Sequence, residues 1–115
     1  MITVNKDITA DNTDVLQGTD LENIPEPGVL RIYAKSTASD SQITITAPGQ
    51  GTPVRSQLIQ KGADAVVSLV DDIPIDIPVQ QGKYVVDVNV TTAATVKIVA
   101  IFYTVEEAMA EAGIV

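Results

Sequence analysis

Carboxylates are the main reactive side chains in this chain, and the partners they would need for catalysis are missing. It holds 15 Asp and Glu against 7 Lys and Arg, with no histidine and no cysteine. Without imidazole or thiol, the common nucleophile–base pairs cannot be assembled. A hydroxyl nucleophile would need a lysine or carboxylate base, and no Gly-x-Ser-x-Gly elbow is present. Pro48-Gly49-Gln50-Gly51 lacks the following lysine and helix start of a phosphate loop, and reads as a turn. Paired acids can hydrolyse sugars, and Asp71, Asp72, Asp76 and Asp87 are the candidates. A sugar cleft also needs aromatic walls, and the chain has only three tyrosines, one phenylalanine and no tryptophan. Calcium is the better alternative, because hard oxygen ligands could converge where Asp71, Asp72 and Asp76 lie in and after one turn. Asp20 with Glu22, and Asp11 with Asp14, form weaker groupings, and none has EF-hand spacing. The competing reading is that acids at turns cap backbone amides and keep the surface soluble. The expectation is a protein that is not an enzyme and carries no cofactor, with Asp71, Asp72 and Asp76 as a weak calcium candidate.

Elements that would position such groups are written in a period of two. Leu30, Ile32 and Ala34 fall on one face of a strand and Arg31 and Lys35 on the other. Ile43 and Ile45 repeat the pattern. In the run from Ile73 to Val79, Ile73, Ile75, Ile77 and Val79 alternate with Pro74, Asp76 and Pro78, so all four apolar residues are expected in one core. The two prolines place that strand at a sheet edge or bulge. Tyr84, Val86, Val88 and Val90 share a face, as do Val96, Ile98, Ala100 and Phe102. The last strand also carries Val99 and Ile101 on its other face, which marks it as central or covered. Ile2, Val4 and Ile8 predict an N-terminal strand, and weaker strands are expected at 13–17, 54–60 and 65–70.

Turn residues recur every 8–12 positions or so, the spacing of a sandwich or barrel. Thr104-Val105-Glu106-Glu107 is a capping box that opens a short helix, and Gly113 suits its C-terminal cap. The expected fold is therefore all-β: one domain over residues 1–115, an antiparallel β-sandwich of jelly-roll or immunoglobulin-like type, with about eight strands and one short C-terminal helix.

A net charge of −8 disfavours nucleic acid and anionic membranes as partners. The N-terminus lacks the basic and apolar stretches of a signal peptide, so synthesis in a host cytoplasm is expected. The run from Asp14 to Ala34, with its Gly18-Thr19-Asp20-Leu21-Glu22-Asn23-Ile24-Pro25-Glu26-Pro27-Gly28 centre, and the Thr/Ser/Ala-rich strands after it resemble small virion proteins of tailed bacteriophages and related viruses. These are decoration (cement) proteins and other minor capsid components. The resemblance covers the texture of most of the chain rather than a diagnostic motif. It implies a structural protein on the outer capsid surface of a virion, often a homotrimer, that bridges coat subunits. Its partners would be the major capsid protein or another virion protein. The alternative is a non-viral β-sandwich binding or adhesion module that could bind calcium.

Three segments are the expected protein contacts. Ile2, Val4 and Ile8 could add a strand to a neighbour's sheet. Val105, Met109, Ile114 and Val115 could dock the helix. Val99, Ile101 and Tyr103 need a cover. Contacts within the chain are the alternative for each.

Overall fold

In a computed structural model the described residues are 1–90 and 94–113. They form a mostly β chain with two sheets and one short C-terminal helix. The strands are β1 (Ile2–Ile8), β2 (Gly28–Ser36), β3 (Gln42–Thr46), β4 (Arg55–Leu58), β5 (Gln60–Lys61), β6 (Ile75–Val79), β7 (Val85–Asn89) and β8 (Val96–Thr104); the helix is α1 (Val105–Glu111). The larger sheet runs β1-β8-β2, with β6 and β5 sharing the far edge of β2; the smaller sheet runs β4-β3-β7.

Register explains which residues meet. Across the larger sheet Ile2, Phe102, Leu30 and Ile77 stand in one row, and Val4, Ala100, Ile32 and Ile75 in the next. These face inward and pack with Ile43, Ile45, Val86 and Val88 of the smaller sheet in one core. Side chains alternate across a strand, so the other face of the larger sheet carries Thr3, Ile101, Arg31 and Asp76 in one row and Asn5, Val99 and Tyr33 in another. Gly28 permits the tight β2–β8 approach, since a Cβ there would collide with the Tyr103 carbonyl. Ser36 and Ser41, both buried, share a 2.8 Å hydroxyl bond where the chain passes between sheets.

Several expectations change. Residues 13–17 form no strand. One antiparallel bridge joins Asn12 to Val88, and the chain then turns, burying Val15, Leu16, Leu21 and Ile24 against the core. Lys83 holds this segment through Asp14 (2.8 Å) and Glu22 (3.4 Å). The 54–60 run splits at the buried Ile59 into β4 and β5, and β5 pairs parallel to β2 rather than antiparallel. Residues 65–70 are not a strand, and β6 begins at Ile75, leaving Ile73 outside the core at 87 % exposure. Strand β2 offers one edge to β8 and spends the other on β6 and β5, so no edge of β2 remains for 65–70, which cross the sheet instead of joining it.

Candidate protein-contact site

The segment from Gly62 to Pro74 crosses the outer face of the larger sheet as a strap. It starts at Gly62, where a Cβ would collide with the Lys35 side chain. A 3₁₀ turn at Ala63–Ala65 follows, with Asp64 and Ala65 at positive φ (61° and 50°), a conformation that costs an L-residue about 1–2 kcal/mol. The turn tucks Ala65 inward and sets the strap on the sheet.

Underneath, the strap is anchored. Val67 packs on Tyr33, Val99, Ile101 and Tyr103 in a second apolar cluster. The Tyr33 hydroxyl donates to the Leu69 carbonyl at 3.4 Å. Asp72 is the latch. It accepts from Lys35 Nζ at 2.7 Å and from the Ser68 amide at 2.8 Å, and its own amide donates back to the Ser68 carbonyl at 3.0 Å. The Lys35 bond first, and the Ser68 amide second, hold its carboxyl below the usual carboxylate range.

On top, the strap is apolar. Val66 is 64 % exposed, Leu69 55 %, Val70 91 % and Ile73 87 %. Leu58 of β4, 58 % exposed, lines one small pocket together with Ile73. Scattered exposed leucines are ordinary; four large apolar residues exposed within eight positions of one segment are not. From Gly62 to Gly82 the chain holds four aspartates and no cation. Asp72 is held by Lys35 and Asp76 by Arg31 (2.8 and 3.2 Å), so Asp64 and Asp71 remain without a basic partner among the described residues.

The predicted calcium ligands separate. Asp71 turns to the Ser68 hydroxyl, Asp72 to Lys35 and Asp76 to Arg31. Among the described residues no three acidic groups gather as a metal site.

The predicted contact residues divide into three groups. Val4 and Ile8 are core residues and Ile2 packs beside them, with β1 paired along its whole length to β8 of its own chain. Val99 and Ile101 lie buried in the second cluster with Val67, and Tyr103 is half-buried beside Arg31, its ring 5.5 Å from the guanidinium carbon. Val105 and Met109 are exposed along one side of α1. Ile114 and Val115 lie outside the described residues. The capping box forms as expected, with Thr104 and Glu107 exchanging bonds of 3.2 and 3.0 Å. Glu107 also binds the N-terminal ammonium at 2.6 Å, and that contact, ahead of the Thr104 amide, lowers its pKa. A groove of about 370 Å³ lies between α1 and the sheet, but its central cation, Arg31, is already committed to Asp76 and Glu111. It is no anion site.

Sequence reasoning missed the strap's outer face. Its signal was the run Val66-Val67-Ser68-Leu69-Val70, which holds more apolar residues than alternation can bury, followed by Pro74 directly after Ile73. The chain matches no family model, no curated protein and no solved structure.

Proposed function

We propose that this chain is a structural assembly protein, and specifically a virion component that decorates the outer surface of a viral capsid as a homo-oligomer and bridges coat subunits. The two-sheet body would then be an antiparallel sandwich of jelly-roll or immunoglobulin-like type serving as a rigid support. The observation that carries the reading is the strap's apolar outer face, formed by Val66, Leu69, Val70 and Ile73 on an anchored segment. Burying such surface is favourable by roughly 25 cal/mol per Å². An anchored segment loses little conformational entropy on contact. Multivalent attachment raises apparent affinity by roughly 10²–10⁴ without stronger single contacts. The capsid assignment itself rests on the resemblance of the Asp14–Ala34 run and the strands after it to small virion proteins.

The test is co-sedimentation with empty shells of the coat protein encoded in the same genome. The wild-type chain is expected to pellet with shells and to delay their thermal disruption. Val70→Asp with Ile73→Asp is expected to lower occupancy on the order of tenfold or more. Absence of wild-type binding, or full occupancy by the double variant, would count against the reading.

A further inference from the structure

We infer that the strap's outer face is a self-association surface, and that its occupant is a second copy of this chain docked acid-to-base. The inference rests on the reading above only in treating this face as a protein contact.

Three observations point to a second copy. The first is size. The five side chains Leu58, Val66, Leu69, Val70 and Ile73 expose on the order of 500 Å², most of the ~800 Å² per partner that a standard stable interface buries.

The second is charge. Among the described residues, Lys6, Arg55 and Lys61 are the cations outside any ion pair. Two of these three, Arg55 and Lys61, sit on β4 and β5, which lead directly into the strap. The strap itself carries Asp64 and Asp71, both exposed and without a basic partner. The strap and the two short strands that lead into it therefore hold exposed apolar residues, two unspent acids and two unspent bases within residues 55–73. Such a surface complements itself: when two copies meet, the acids of one can face the bases of the next.

The third is continuity with an open strand edge. Other edges are closed or blunted. The β7 edge is bonded by the Asn12 and Val15 backbones (2.8–2.9 Å). Pro74 and Pro78 interrupt the β6 side. Edge strand β1 carries Lys6 in phase with its core residues, an inward-directed charge of the kind that discourages pairing. Strand β4 ends its sheet, is exposed at all four residues and contributes Leu58 to the patch.

Sedimentation velocity on the full chain at about 100 µM and at hundredfold dilution tests this directly. The wild type is expected to associate reversibly. Val70→Asp is expected to weaken association on the order of tenfold, and circular dichroism checks that the variant is folded. Reversing the acids (Asp64→Lys with Asp71→Lys) or the bases (Arg55→Glu with Lys61→Glu) is expected to weaken association too. All four reversals in one chain are expected to restore it, a rescue that general surface damage would not give. A monomeric wild type, a Val70→Asp chain that associates normally, or failure of the fourfold reversal to rescue would overturn the inference. A monomer that still binds coat shells through the strap would assign this face to the coat and leave the assembly reading standing. Association without shell binding would do the reverse.

Discussion

Two segments cover the outer face of the larger sheet, and they finish the job differently. Helix α1 is held by ions and caps: the N-terminal ammonium on Glu107, Arg31 on Glu111, and the Thr104–Glu107 box. Its solvent side carries Glu106, Ala110 and Glu111, with Val105 and Met109 exposed together along one side. The strap is held by an apolar plug, Val67, and one lysine–aspartate latch, and its solvent side is mostly apolar. The helix presents a mostly polar solvent side, with two apolar residues on it. The strap buries one apolar face and presents another, which is costly for a solitary soluble chain and useful for one that meets a partner.

The sharpest contrast between them should come from below. Phe102→Ala empties the centre of the core that supports both covers and is expected to cost about 3–5 kcal/mol, measured by chemical denaturation. Helix and strap should then unfold together.

Next is the latch, which should separate them. Lys35→Met leaves the core intact but removes the Asp72 partner. Hydrogen exchange of the Asp72 amide is expected to rise on the order of tenfold while β8 amides keep their protection. Acid should do the same. The Asp72 carboxyl is depressed in the folded protein, so its stabilising contribution is present above the unfolded carboxylate value. It is lost as pH falls through the depressed one. Strap amides should therefore lose protection on acidification before those of β2 and β8, as exchange measured across acid pH would reveal.

A smaller effect belongs to the helix. Thr104→Ala removes its cap and is expected to cost about 1 kcal/mol, read as a fall in the denaturation midpoint, with strap exchange unchanged. Smallest in stability is Val70→Ser, expected within about 0.5 kcal/mol of wild type because the side chain touches solvent. A large loss there would mean that the strap's outer face is structural.

Alternation in the sequence was enough to place β2, β3, β7 and β8, because each strand has one face in a common core and the pattern of two follows directly. The capping box of α1 was equally readable, being a local exchange of bonds over three residues. What local pattern could not supply was the allocation of strand edges. Residues 65–70 have strand-like composition but both edges of β2 are already taken, and Ile73 continues the alternation of Ile75 and Ile77 while lying before Pro74, outside the true strand. The same blindness hid the exposed apolar face of the strap. The residues expected to meet partners, Val4, Ile8, Val99 and Ile101, are covered within the chain. The exposed apolar face was formed by residues that looked like core. The separation of Asp71, Asp72 and Asp76 likewise depends on Arg31 and Lys35, more than thirty residues away in the chain.

Hydroxyl-radical footprinting of the wild-type chain, concentrated and diluted, and with and without coat shells, tests the central claim most directly. Met109 on the helix is an internal reference. The account predicts that Leu69, Val70 and Ile73 are oxidised readily in the dilute free chain and are protected in the assembled state, while the Met109 signal changes far less. Equal oxidation of Val70 and Ile73 under every condition would contradict it, because the strap's apolar face would then meet only water.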